Sequence, residues 1–152
     1  MNTIKTTSYK IKLISATETY PVRHPVLRAG KPISTCAFNG DNLETTFHLG
    51  LFTNSKLIAV ASFLKNNNLN ITTTNQYQLR GMAVLKTFQG KSLGKIILKH
   101  GETLLIEKNT TTIWCNAREI AVNFYRKCGY QTIGESFNIK DIGKHYTMYK
   151  NL

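Results

Sequence analysis

One segment near the middle of the chain, Gln89-Gly90-Lys91-Ser92-Leu93-Gly94-Lys95, brings together what a bound phosphate requires. It lies between a β-rich run and a helical one, so successive backbone N–H groups and the positive end of a helix dipole would converge there. Small residues let a pyrophosphate approach the backbone, and Lys91 and Lys95 add positive charge. The segment lacks the GxxxxGKS/T spacing of a Walker-type NTPase, and the N-terminal region lacks the GxGxxG of a dinucleotide fold. Glycine and serine also cap ordinary helices, so the loop alone is equally compatible with a structural turn.

A second segment, Ala121-Val122-Asn123-Phe124-Tyr125-Arg126-Lys127-Cys128-Gly129-Tyr130, gives the first its meaning. The loop resembles the acyl-CoA signature of the GNAT superfamily, Q/R-x-x-G-x-G/A, with Gln89 first and Gly94 last. Before it, Leu79-Arg80-Gly81-Met82-Ala83-Val84-Leu85 looks like the family's central strand. Downstream, the second segment is similar to the family's A-x-x-F/L-Y-x-x-x-G-F/Y helix end. Arg23-His24-Pro25-Val26-Leu27-Arg28, His48-Leu49-Gly50 and Gly143-Lys144-His145-Tyr146-Thr147-Met148 look like a bacterial subgroup of small members.

The resemblance implies a GNAT-like α/β (α+β) domain with a mixed, mostly antiparallel sheet of about seven strands, flanking helices, and two central strands that splay apart. Acetyl-CoA would enter the splay. Met82, Ala83 and Val84 would pair with its pantetheine arm through their backbones, and Gln89, Gly90, Lys91, Ser92, Leu93, Gly94 and Lys95 would hold its pyrophosphate. An N–H near Ala83 or Val84 would polarise the thioester carbonyl. Tyr125 matches the family tyrosine beside the CoA sulfur, where a phenol can protonate the departing thiolate. The implied reaction is N-acetylation of a primary amine by direct attack, the amine being a small molecule, a peptide or an RNA-linked group.

Three positions depart from the family pattern. Ser92 stands where glycine is usual, and its side chain costs room if the backbone must approach closely or take positive φ. Arg118 replaces an asparagine that touches the cofactor arm, with Asn116 nearby as a substitute. Ile113 occupies the place of a glutamate base, leaving His48, His145 and Glu135 as candidates to deprotonate the acceptor. The missing carboxylate keeps open a catalytically silent acyl-CoA-binding regulatory domain.

These residues need positioning elements, and the apolar pattern supplies them. Residues 9–14 alternate as a half-buried strand. Ser15-Ala16-Thr17-Glu18 then reads as a capping box opening a short helix, interrupted by Pro21 and Pro25 and ended by Gly30-Lys31-Pro32. Residues 45–52 and 57–64 read as a hairpin, and 77–85 as a strand entering the loop. A helix runs from Leu93 through Glu107, and a strand spans 111–116. Residues 118–128 read as a helix with Ala121, Phe124 and Cys128 on one face, Tyr125 beside it and Gly129 as C′ residue. Two final strands cover 130–137 and 145–149.

At 152 residues the chain is expected to be one domain, residues 1–152, with a single core and no need of metal. Cys36, Cys115 and Cys128 lie far apart with no CxxC pair, which reads as reduced core thiols. With no long apolar run, the expected location is cytoplasmic, away from membranes. The balance of 20 Lys and Arg against 8 Asp and Glu, formally +12, favours polyanionic ligands. A nucleic-acid-binding module is the third reading, set back by the absence of RNP-type aromatic strands or zinc-finger spacing.

Overall fold

The computed structural model describes residues 8–152. Seven strands form one sheet in the order β1-β2-β3-β4-β5-β7-β6. By contacts, residues 8–62 with 81–100 make one compact unit, and residues 63–80 with 101–152 make another. No helix among the described residues is long and apolar enough to cross a membrane.

In the first unit, β1 (Lys10–Ile14) lies antiparallel to β2 (Phe47–Thr53), from Lys10 opposite Phe52 to Ile14 opposite His48. The capping box after β1 is reciprocal: Ser15 N–H donates to Glu18 Oε1 at 3.1 Å and Glu18 N–H to Ser15 Oγ at 3.3 Å. Helix α1 (Tyr20–Leu27) carries Pro21 in its first turn and Pro25 within, and stops after eight residues. Strand β3 (Lys56–Lys65) follows β2 through Asn54 and Ser55, whose φ of 47° and 65° fit a two-residue hairpin turn matched to strand twist. Val22, Val60 and Ala83 form an apolar cluster with Ile14, Val26, Leu27, Leu57 and Leu85 packed against it.

Strand β4 (Gln76–Val84) and helix α2 (Leu93–Glu107) each contribute to both units. In the second unit, Gln76 organises the loop before β4. Its amide accepts from Asn68 N–H at 2.7 Å and donates to the carbonyls of Ile71 and Thr73 at 3.0 and 2.6 Å. Gly101 of α2 lets the helix settle on the buried ring of Phe63, since an added Cβ would overlap that ring.

Strand β5 (Thr112–Arg118) runs parallel to β4 for three pairs, ending at Gln78 opposite Trp114. On its other side β5 pairs antiparallel with β7 (Gly143–Asn151) along its whole length, from Thr112 opposite Asn151 to Arg118 opposite His145. The recorded pairing of β5 with β4 thus ends at Trp114, while its pairing with β7 continues to Arg118. Strand β6 (Gln131–Ile139) completes the sheet antiparallel to β7, with its register shifting between Ile133 and Phe137.

The pairing corrects one expectation. Because β7 holds β5 as far as Arg118, helix α3 does not begin there: a 3-10 turn covers Glu119–Ala121 and the helix proper is Val122–Lys127. Its buried residues are Val122 and Tyr125, while Ala121, Phe124 and Cys128 are half-buried. Gly129, at φ 93°, closes it as expected. Its N–H donates to Arg126 O and that of Tyr130 to Tyr125 O, each at 3.0 Å, the paired bonds of a Schellman end.

Candidate active site

The loop after β4 is built by short-range bonds. Leu85 N–H donates to Ile58 O at 2.9 Å, a 3-10 turn follows at Lys86–Phe88, and the Gln89 side-chain amide reaches back to Val84 O at 2.9 Å. Gln89 thus pins the loop to the end of its strand. Gly90 and Ser92 both have positive φ, 82° and 61°, and Ser92 O accepts the first bond of α2, from Ile96 N–H at 3.1 Å. None of the described residues accepts a hydrogen bond from the N–H of Gly90, Lys91, Ser92, Leu93, Gly94 or Lys95.

N–H donors without an acceptor among the described residues, at the start of a fifteen-residue helix, have the dipole direction that favours an anion. Lys91 and Lys95 are exposed there, with Lys91 Nζ held 5.4 Å above the Phe88 ring. Leu93 is buried and anchors the helix start, so it contributes its backbone alone.

Ser92 keeps the left-handed conformation that glycine would adopt without strain, at a cost of about 1 kcal/mol. Ser92→Gly is therefore expected to raise the melting temperature by about 2–4 °C. Matched thermal scans check this, and an unchanged or lowered midpoint would mean that the serine hydroxyl compensates locally.

Behind Met82, Ala83 and Val84, Gly81 also takes a positive φ, 58°, and an added Cβ would meet Phe38 at 2.9 Å and Arg23 Nε at 3.2 Å. Arg23 is fully buried. Its guanidinium grips Asp41 through two bonds of 2.7 and 3.1 Å, donates to Cys36 O and Ser62 Oγ at 2.8 Å each, and lies 4.0 Å above the Phe38 ring. His48 joins the network with both nitrogens: Nδ1 is 2.6 Å from Ser62 Oγ and Nε2 is 2.9 Å from Asp41 O. With neither nitrogen free, His48 serves as a pin between strands.

Burial pushes the Asp41 carboxyl up from its usual 3.8, but the Arg23 bond, the Phe38 N–H and the charges of Arg23 and His48 outweigh it and hold it lower. Nothing in the sequence pointed to this network. Its members come from a helix, a loop and two strands, without periodicity.

In the second unit, Tyr125 is buried beneath β5 with its hydroxyl bonded to the Cys115 thiol. Its ring packs edge-on against Phe124 and Tyr130 at 5.1 and 5.5 Å. Burial foremost, then Cys115 and Cys128, drives the phenol well above 10, so it carries its proton at any physiological pH. Burial likewise pushes the Cys115 thiol up to about 12, which keeps it a neutral partner. Tyr130 donates to Glu102 Oε2 at 2.6 Å, and Lys150 bridges Glu102 Oε1 and Cys128 O at 2.9 and 3.0 Å, fixing the end of α3.

Asn116 is exposed on the opposite face of β5, its Oδ1 taking a bond from Thr147 Oγ1 at 3.0 Å. Ile113 is fully buried, so the position of the family's glutamate base is apolar core. Glu135 is exposed on the irregular stretch of β6. His145 is 4% exposed, with Nδ1 2.8 Å from Gly143 O.

The Acetyltransferase (GNAT) family model matches residues 12–130. Over 143 residues the chain is 39% identical to an uncharacterized N-acetyltransferase, YitI, of Bacillus subtilis (strain 168), covering 94% of this chain and 96% of that protein. Among solved structures, it superposes on the ribosomal-protein-S18-alanine N-acetyltransferase from Escherichia coli with a TM-score of 0.72 at 18% identity, covering 95% of this chain and 94% of the other. An aminoglycoside 6'-N-acetyltransferase complexed with coenzyme A gives a TM-score of 0.74 at 12% identity, covering 93% and 96%. These structures share the fold, and the sequence matches settle kinship: the chain belongs to the acetyltransferase (GNAT) family and is an acyltransferase.

Proposed function

We propose that the chain transfers the acetyl group of acetyl-CoA to a primary amine. The observation that carries this reading is the run of unpartnered N–H groups from Gly90 to Lys95 at the start of α2, which fits a pyrophosphate. Alternation along β4 narrows the oxyanion donor. Because Leu85 N–H faces β3, Val84 N–H and C=O face the other edge, as the Gln89 bond to Val84 O also requires. Val84 N–H is thus the better placed of the two candidate donors, and Met82 shares its edge.

In the proposed reaction the neutral amine attacks the thioester carbonyl, a C–N bond forms, and negative charge on oxygen is met by a main-chain donor. The C–S bond then breaks, Tyr125 gives its proton to the leaving sulfur, and the proton shed by the acylated nitrogen passes to solvent, from which the phenol is restored. Proximity of the two reactants supplies much of the rate.

The test has two stages. Acetyl-CoA at a hundredfold excess over its dissociation constant should stabilise the fold by about 2.7 kcal/mol, seen as an upward thermal shift that Gly94→Trp abolishes. Release of CoA thiol is then followed against lysine, polyamines, amino acids, peptide N-termini and aminoglycosides. Turnover with any supports the enzyme; a shift without turnover would favour the silent regulatory domain, and no shift would remove acetyl-CoA as ligand.

A further inference from the structure

We infer that His145 is the general base that takes the proton from the acceptor ammonium; this rests on the acetyltransferase reading above. A base for this step needs a lone pair in a fixed direction, not already bonded to the protein, near the reacting edge. Ile113 removes the carboxylate that would otherwise serve, and each remaining candidate can be judged by its bonds. His48 spends both ring nitrogens within the Arg23 network. His24 also has one nitrogen engaged, Nε2 lying 2.7 Å from Lys31 O, but its ring is only half-buried on α1, and Glu135 and His100 are exposed to solvent.

His145 is built differently. Its Nδ1 lies 2.8 Å from a carbonyl oxygen, that of Gly143, which can only accept. Nδ1 therefore carries the hydrogen, and in the neutral ring Nε2 bears the lone pair. The ring is held flat against Phe137, centroids 5.8 Å apart and planes at 27°, and 96% of its surface is covered, the complement of its 4% exposure. Nε2 has no hydrogen-bond partner among the described residues. One nitrogen locked and the other unpartnered is the arrangement of an oriented proton acceptor.

Its place in the sheet agrees. His145 sits opposite Arg118, the last residue of β5, beyond Trp114 where the recorded pairing of β5 with β4 ends. Residues opposed across an antiparallel pair share a face, so His145 and Arg118 lie with Asn116 and Thr147, whose side chains bond to each other. Cys115 and Ala117 point to the other face, where Tyr125 bonds Cys115. Proton acceptor and proton donor thus stand on opposite faces of one strand end. An amine approaching that end of β5 would surrender its proton to Nε2 on one face while the sulfur collects the Tyr125 proton on the other.

The titratable groups nearest His145 in register or sequence are Arg118 on β5, Glu119 in the following turn, Lys144 and the neutral Tyr146 beside it on β7, and Glu135 on the adjoining β6. Glu119 and Lys144 are paired at 3.9 Å.

The test compares wild type with His145→Gln and His145→Ala on an amine that the screen shows to be acetylated. Expected are a fall in kcat of about a hundredfold or more, unchanged acetyl-CoA affinity, and a deficit that narrows about tenfold per pH unit toward the amine's own pKa. Added 4-methylimidazole should restore part of the rate to His145→Ala. In the wild type, nitrogen NMR should find the neutral ring protonated at Nδ1. Variants that keep more than half their activity, a deficit independent of pH, or a ring protonated at Nε2 would each overturn the base while leaving the acetyltransferase reading intact. A wild type that binds acetyl-CoA and acetylates nothing would overturn both.

Discussion

Replacing Arg23 with alanine is expected to lower the unfolding free energy by about 3–5 kcal/mol, the loss typical of breaking one side of a buried ion pair. The reason lies in what remains. Asp41 would keep its Phe38 N–H bond but lose both guanidinium bonds, Cys36 O and Ser62 Oγ would lose a donor, and the Phe38 face would lose its cation. Lysine is a poor substitute, since an ammonium cannot reproduce the two-pronged grip on the carboxylate. Denaturant melts of wild type and Arg23→Ala measure the difference, and a loss below about 1 kcal/mol would show that water can replace the guanidinium.

The pH dependence carries a sign that checks the same account. Asp41 titrates below its usual 3.8 in the folded protein, so the unfolded state binds its proton first as pH falls. The stabilisation is present above 3.8 and is lost as pH drops from there through the lower folded value. Without Arg23, burial dominates at Asp41 and protonation relieves it, so the gap between wild type and variant should shrink on acidification. A gap that stayed constant down to about pH 3 would place the energy of Arg23 in packing.

How far the sequence disclosed this arrangement depends on how local the signal was. Helix α2 could be read to its end residues because a glycine-rich turn precedes it and Asn109 follows. The Ser15 and Glu18 bonds and the Gly129 helix end were legible for the same reason: each is settled within a few residues. The boundary between β5 and α3 was not, since Ala117 and Arg118 have little strand preference and are extended because β7 lies beside them. The reading of α3 put Phe124 on the buried face, whereas the shortened helix turns Val122 and Tyr125 inward.

The Arg23 network lay furthest from view. Its links join residues 18, 7 and 14 positions apart, and a buried cation has no periodicity to betray it. For the candidate site the sequence offered a loop, a tyrosine and three possible bases. Hydrogen bonding bears on two of those bases, His48 with both nitrogens engaged and His145 with one, because only the folded chain reveals which nitrogen already has a partner.

Tyr125→Phe is expected to reduce kcat by about 10²–10⁴-fold on the proposed mechanism, while KM for acetyl-CoA stays near the wild-type value. The phenol is suited to this step by its surroundings. Raised above 10 by burial and by Cys115 and Cys128, it still carries its proton when the C–S bond breaks beside it. Wild-type activity should therefore show no descending limb from this group below about pH 10. Phenylalanine keeps the edge contacts to Phe124 and Tyr130 and removes only the hydroxyl bonded to Cys115, whose thiol, near 12, stays neutral. The variant should consequently fold and still shift its melting temperature with acetyl-CoA. The loss should also shrink for an acyl donor whose leaving thiol is more acidic than that of CoA, since such a thiolate needs less help from an acid. A loss of equal size for every leaving group, or one matched by weaker acetyl-CoA binding, would make Tyr125 a packing residue and leave the thiolate to take its proton from water.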